Sequence, residues 1–335
     1  MLAQPTRARR LEWTGRGQPD IEVGDAILLF DAGAAVRYPR TVRPPPTGRE
    51  ERTVAQGRCL CGALTYELEG PFSAMIHCHC SMCRKHHGTG FATFVAGPIA
   101  GFRWISGKDR LGRHQSSPNG ARTFCTVCGS AGPTTMPELG IAAAPAAGFE
   151  DELGIKPQSH IFVGSKAPWD AITDSLPQFD AYPPGFGAQG VARPVVTPRA
   201  GITEGSCLCG EIGYEITGAP VRMMNCHCSR CRLGRAAAHA TNVFCKLDQF
   251  RWVRGAPLVT EYKVPGARFH TVAFCSRCGA KVPRPSPERG IVAVPAGSLD
   301  TDPGMRAQAH IFAADKATWF DITGPLPRFP AIPPG

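Results

Sequence analysis

The chain has 335 residues, 43% of them hydrophobic, and a formal charge of +10, which is enough length and apolar content for two ordinary domains. Nowhere does it approach the roughly 18 consecutive apolar residues of a membrane helix. The N-terminus has no apolar signal segment, so the expectation is a cytoplasmic protein without membrane contact. Its 38 Gly and 32 Pro argue for many turns between short strands rather than long helices. The charge is uneven: residues 57–185 hold ten basic and ten acidic side chains, and residues 205–335 hold sixteen and nine. Thiolate ligation of zinc by the cysteines described below would cancel about 6 of these units. Net charge therefore gives no support to a nucleic-acid partner.

In chain order, residues 1–52 form an extension with nine Arg and seven acidic residues, too acidic for a transit peptide. Its apolar piece AILLFDAGAAV (26–36) reads as a strand or short helix. A first domain spans 53–185. ALTYELEG (63–70) alternates apolar and polar residues and stops at Gly, the pattern of a half-buried strand ended by a turn. FATFVAG and FRWI read as further strands. GIAAAPAAGF carries a Pro and so suits a sheet edge, and SKAPWDAI opens with a short helical turn. A Gly/Pro-rich linker covers 186–202. From 203 to 335 the same series returns.

This self-similarity is the strongest signal in the sequence. Residues 57–105 match 205–253 without a gap, and RTFCTVCG then falls on VAFCSRCG after a two-residue insertion. The tails HIFVGSKAPWDAITDSLPQF and HIFAADKATWFDITGPLPRF also correspond. Fourteen of the 15 cysteines pair between copies. The remaining one, Cys245, falls on Gly97 and reads as a buried free thiol. Trp104 with Trp252, Trp169 with Trp319, and Phe102 with Phe250 read as core. His160 and His310 read as satisfied buried histidines.

An odd cysteine count and Cys-x-Cys and Cys-x-x-Cys spacings favour metal over disulfides. In FCTVCGS the chain turns between Cys125 and Cys128, a zinc knuckle with Gly129 in the turn. Cys59 and Cys61 lie two apart on a strand and face the same way, so they supply the other two ligands of a closed four-thiolate site. Cys207, Cys209, Cys275 and Cys278 repeat it. That leaves Cys78, Cys80 and Cys83, with Cys226, Cys228 and Cys231 in the second copy. Three protein ligands and an exchangeable position form the pattern of a reactive zinc. The alternative is closure by a nearby His: His77, His79, His86 or His87, and His227 or His239 in the second copy. The sum is zinc at two sites per domain, four per chain. A three-thiolate zinc suits chemistry on a thiol, held as thiolate and able to add to a small carbonyl.

Together, the Cys-x-Cys-Gly before a strand, CHCSMCRKHHG, FCTVCGS and HIFVGSKAPW resemble the glutathione-dependent formaldehyde-activating (GFA) family, also called the centromere protein V family. The resemblance covers nearly all of 57–185 and, more loosely, 205–335. It implies a mainly β architecture of two tandem β-tent zinc domains with short antiparallel strands. It also implies glutathione as co-substrate at the three-cysteine zinc and a carbon–sulfur lyase activity that makes S-hydroxymethylglutathione from formaldehyde. The second copy departs where CRKHHGTGF becomes CRLGRAAAH, which places the expected activity in the first copy. There Cys78, Cys80 and Cys83 would be catalytic, and Arg84 and Lys85 would hold the substrate. The competing reading is a non-catalytic, zinc-stabilised module that binds a thiol, a protein or nucleic acid.

Overall fold

The computed structural model describes residues 27–28, 36–37, 53–118, 120–137, 140–150, 152–183 and 196–332. Most of the N-terminal extension and the first ten residues of the 186–202 linker lie outside these. Within the apolar piece at 26–36 the chain forms a strand, β1 (Ile27–Leu28), paired antiparallel with β2 (Val36–Arg37), which begins at the last residue of that piece.

The first copy runs β3 (Val54–Arg58), β4 (Thr65–Glu69), β5 (Ala74–Cys78), α1 (Ser81–His87), β6 (Ala92–Pro98), β7 (Phe102–Ser106), β8 (Leu111–Ser117), β9 (Gly120–Cys125), β10 (Thr134–Met136), β11 (Ile141–Pro145), β12 (Ser159–Ile161) and β13 (Gln178–Phe179). The second runs β14 (Ile202–Ser206), β15 (Gly213–Thr217), β16 (Arg222–Cys226), α2 (Ser229–Arg235), β17 (Ala240–Lys246), β18 (Phe250–Arg254), β19 (Val259–Lys263), β20 (Thr271–Cys275), β21 (Arg284–Ser286), β22 (Ile291–Pro295) and β23 (His310–Ile311). The molecule is mainly β, with α1 and α2 as the α-helices among the described residues. Neither is long and apolar enough to cross a membrane.

Each copy builds the same three layers. A three-stranded antiparallel sheet (β3-β4-β7; β14-β15-β18) faces a larger sheet (β10-β11-β6-β5-β12-β13; β21-β22-β17-β16-β23), and a hairpin (β8-β9; β19-β20) carries the zinc knuckle. Pairing is antiparallel except along β12, which lies parallel to β5 and β13, and β23, which lies parallel to β16. The expected edge position for GIAAAPAAGF is corrected, because β11 lies between β10 and β6, and β22 lies between β21 and β17. The prolines are tolerated because Pro145 and Pro295 are the last residues of their strands, where a missing N–H interrupts no ladder.

The two copies are not separate cores set side by side. Trp319, from the second tail, is buried among Tyr66, Leu68, Met75, Val95 and Phe149 of the first copy. Trp169, from the first tail, is buried with Tyr214, Ile216, Met223 and Val243 of the second. The tryptophans are core residues, as their matched positions suggest, but each serves the other copy's core. The short turn Ala296–Ser298 packs against α1 and the turn Ala146–Gly148 packs against α2, so the exchange is reciprocal. Gly297 is needed for this approach: a Cβ there would lie 2.2 Å from the Arg84 carbonyl oxygen and 2.4 Å from the Thr89 nitrogen.

Candidate metal centres

At the first knuckle, β9 ends at Cys125 and the chain turns through a Gly129 N–H bond to the Cys125 carbonyl, 2.8 Å. The turn delivers Cys128 beside Cys125. On the other side β3 ends just before Cys59, so the expected strand placement of Cys59 and Cys61 is corrected: a Gly62-to-Cys59 backbone turn, not strand alternation, brings Cys61 round. All four sulfurs lie within 4.8 Å of one another. Cys59 and Cys61 Sγ are 3.5 Å apart, and Cys61 and Cys125 Sγ are 3.7 Å apart. The second copy repeats the arrangement, with Cys207–Cys209 at 3.4 Å and Cys209–Cys275 at 3.8 Å.

These spacings allow a fit test. A disulfide would need about 2.05 Å. A tetrahedral zinc with bonds of about 2.3 Å needs sulfurs about 3.8 Å apart, so both quartets fit zinc. The surroundings suit thiolates too: Leu64 N–H donates to Cys59 Sγ at 3.3 Å, Ile212 N–H to Cys207 Sγ at 3.3 Å, and Ser130 Oγ lies 3.3 Å from Cys128 Sγ.

The two trios lie at strand-to-helix junctions. Cys78 ends β5, Cys80 caps α1 and Cys83 sits in its first turn, with Cys83 N–H donating to Cys80 Sγ at 3.3 Å. Cys226, Cys228 and Cys231 are placed likewise at the start of α2. In each trio the sulfurs lie within 4.8 Å of one another, and among the described residues no histidine nitrogen joins them. Hydrogen bonds from Cys78 and Cys83 hold the Cys80 thiol well below its usual range, with Arg122 a lesser cause. Those from Cys226 and Cys231 push Cys228 down to about 2. One thiolate in each trio is thus favoured even without metal, and a bound cation would release the remaining protons.

The trios differ in their cover. Cys78, Cys80 and Cys83 are 5%, 8% and 4% exposed, whereas Cys228 and Cys231 are only half-buried. Arg122 lies across the first trio, with Nη2 3.3 Å from Cys83 Sγ and 3.9 Å from Cys80 Sγ. Tyr182 packs on the same cluster. In the second copy the matching positions are Val272 and Ile332, and Ile332 is 69% exposed. There a cavity of about 210 Å³ opens on Cys226 and Cys231 and is lined by Arg230, Arg235, Arg284, Arg289 and His270. Arg235 Nη2 is tied to Asn242 Oδ1 at 2.8 Å. Burial pulls the Arg235 guanidinium down to about 10 and keeps His270 below the ordinary imidazole range.

The loop expected to hold substrate in the first copy is committed elsewhere. Lys85 Nζ is 2.6 Å from Asp300 Oδ1 and donates to the Ser206 carbonyl at 2.8 Å and to its hydroxyl at 2.9 Å, all in the second copy. His86 Nε2 donates to the Thr123 carbonyl at 3.1 Å. His87 Nδ1 donates to the Arg235 and Ala236 carbonyls at 2.9 and 3.0 Å, and burial drives its pKa down to about 3. Arg84 is buried against the Ala296–Ser298 turn. His79 and His227 lie in the strand-to-helix connections and bond away from the sulfurs, to His160 and His310 Nδ1, each at 2.8 Å. His77 Nδ1 lies 2.8 Å from Thr93 Oγ1. His239 is buried at the seam between copies. Cys245 is wholly buried in the second core, its thiol pushed up to about 11 by burial.

Arg122, Tyr182 and the arginines of the second cavity escape the sequence reading because they are not shared between copies. The clue present was the reverse one, the change from Arg122 to Val272 three residues before the knuckle.

Among comparisons with known proteins, the family model described as glutathione-dependent formaldehyde-activating enzyme matches twice, over residues 54–165 and 202–315. No curated protein matches the chain. The crystal structure of a Rhodobacter sphaeroides protein, a structural-genomics target, is 27% identical over 30% of this chain and 89% of its own, with a TM-score of 0.25.

Proposed function

The chain belongs to the glutathione-dependent formaldehyde-activating enzyme family, and from that premise we propose a zinc-dependent carbon–sulfur lyase-type enzyme acting on thiol adducts of small aldehydes. Its reactive centre in this reading is Cys226, Cys228 and Cys231 of the second copy. The observation that carries this choice is the cavity opening on Cys226 and Cys231, set against the arginine lying on Cys83 and Cys80 in the first copy. The Lys85 loop, which favoured the first copy on sequence grounds, spends its ammonium on Asp300.

Cys59, Cys61, Cys125, Cys128 and their four counterparts would hold structural zinc, and the two trios would hold the other two ions. A zinc ion bound by three thiolates supplies a position at which an incoming thiol is held as thiolate. The chain's own residues do the rest. Arg230, Arg284 and Arg289 draw in the carboxylates of a thiol such as glutathione. The substrate sulfur forms a bond to the carbonyl carbon of the aldehyde while the carbonyl electron pair moves to oxygen. His270, lining the cavity and kept below the ordinary imidazole range, takes the proton the thiol gives up and passes it to that oxygen. The reverse sequence releases aldehyde and thiol.

The test measures exchange between formaldehyde hydrate and its glutathione adduct by NMR exchange spectroscopy, using the zinc-loaded full chain. Cys231→Ser should return the exchange rate to the uncatalysed level, and Cys83→Ser should leave most of the enhancement. No enhancement by the wild type would reject the activity. Loss with Cys83→Ser but not Cys231→Ser would return the activity to the first copy.

A further inference from the structure

On the reading that an incoming thiol meets the second trio, the walls of the cavity of about 210 Å³ decide which thiol fits. Four arginines line it, Arg230, Arg235, Arg284 and Arg289, and no Asp, Glu or Lys is among its described lining residues. The matching residues of the first copy are Met82, His87, Thr134 and Leu139. The arginine wall therefore belongs to the copy whose trio is half-buried rather than sealed. The basic excess of residues 205–335, sixteen against nine, is in part the charge of this one cavity. A guanidinium stays protonated throughout the working pH range, so that charge depends on no titration.

The partners of these arginines leave much of the charge unmatched. Arg235 Nη2 donates to the Asn242 amide oxygen at 2.8 Å, a neutral acceptor. Arg289 is exposed and stacks on the Phe269 ring, 4.9 Å from its centroid. Stacking covers the face of a guanidinium and leaves its N–H edge for a ligand. Among the described residues, Arg230, Arg235 and Arg289 form no ion pair with a carboxylate. Glu288 is committed to Arg284, at 3.6 Å, and to the Ser286 hydroxyl, at 2.7 Å.

The charge is also spread along the cavity. Arg230 and Arg235 lie on α2 with Cys231, at the sulfur end. Arg284 is on β21, and Arg289 ends the turn Pro287–Arg289 that follows it. The sheet order β16-β17-β22-β21 puts β21 three strands from Cys226 on β16, about 14 Å at a strand spacing of about 4.8 Å. Between the two ends the wall is apolar, with Phe244, Val272, Ile291 and Ala293. A ligand with its sulfur at the trio therefore needs a neutral middle and an anion at its far end. Glutathione brings an ammonium, for which the lining offers arginines and no carboxylate. A phosphate monoester brings about two negative charges in one group, and its oxygens match the guanidinium fork.

We propose that the cavity beside the second trio takes a thiol that ends in a phosphate, with its sulfur at Cys226, Cys228 and Cys231 and its phosphate at Arg284 and Arg289. The test is calorimetry on the zinc-loaded full chain with phosphopantetheine as the probe, beside pantetheine, glutathione and inorganic phosphate. Phosphopantetheine should saturate one site and bind at least tenfold more tightly than each of the other three. Arg289→Gln, at an exposed position, should remove most of that preference and leave pantetheine binding unchanged. Four results would each overturn the assignment: no saturable binding, equal affinity for pantetheine, equal or tighter binding of glutathione, or equal affinity for inorganic phosphate alone. Exchange NMR with formaldehyde keeps the lyase reading distinct. Selective binding of phosphopantetheine with no accelerated exchange on either thiol would end that reading and support this ligand class. Accelerated exchange without the phosphate preference would do the reverse.

Discussion

The two copies share every paired cysteine and, apart from the added edge strand β13, the same sheet order, yet they treat their thiolate trios differently. The first trio is sealed by Arg122 and Tyr182. The second is half-buried beneath a cavity with several arginines on its walls. The loop after the trio has diverged for a related reason. In the first copy the Lys85 and His87 side chains became contacts to the second copy while His86 turns back to Thr123, and Leu233, Gly234 and Arg235 are the counterparts of the three. Once a duplicated domain packs against its twin, equivalent residues no longer meet equivalent surroundings. Ligand identity survives in both copies, and access to the ligands does not.

The largest expected effect tests whether the copies stand or fall together. Cys128→Ala and Cys278→Ala each remove a ligand of a closed four-sulfur site, where metal binding is worth about 10 kcal/mol of folding. Because the cores exchange tryptophans, either variant should unfold both halves in one transition, as followed by calorimetry. Survival of the unmutated half as a separate transition would mean the cores are independent.

Next come the exchanged rings themselves. Trp169→Ala and Trp319→Ala should each cost about 3–5 kcal/mol in urea unfolding. Hydrogen exchange should place the lost protection around β15 and β17 for the first and around β4 and β6 for the second, each in the other copy.

A smaller, pH-dependent effect separates the copies at Lys281, whose counterpart is Ala131. Lys281 is wholly buried, donates to the Gly279 carbonyl at 3.1 Å and the His86 carbonyl at 3.3 Å, and is pulled down to about 7 by burial. Its folded pKa lies below the ordinary 10.5, so the unfolded chain binds this proton more tightly. The penalty is therefore fully present below pH 7 and is relieved as pH rises toward 10.5. Stability should climb by up to about 1.4 kcal/mol per pH unit across that window. Denaturant midpoints at pH 7, 8 and 9 measure the slope, and Lys281→Met should flatten it.

Much of the site was legible in the chain. The repeat, the spacing of the cysteines and the turn at Gly129 are local features, and local geometry decides which sulfurs can face one way. The strand patterns around Tyr66 and Phe94 were legible because alternation follows from the pleat. The helices after Cys80 and Cys228 were not anticipated, since a seven-residue helix capped by a cysteine sulfur leaves little periodicity. Pro145 suggested an edge strand, because composition does not say where along a strand a proline falls.

By itself, then, the sequence determined that two β domains each gather a quartet and a trio of cysteines, because ligand type and spacing are properties of short segments. Only the tertiary structure decided which trio opens to a cavity, whose core each tryptophan fills and what Lys85 touches. Those outcomes depend on side chains from separate segments, met within a copy at the trios and across the seam at the tryptophans and Lys85, and no pattern within a single segment carries that information.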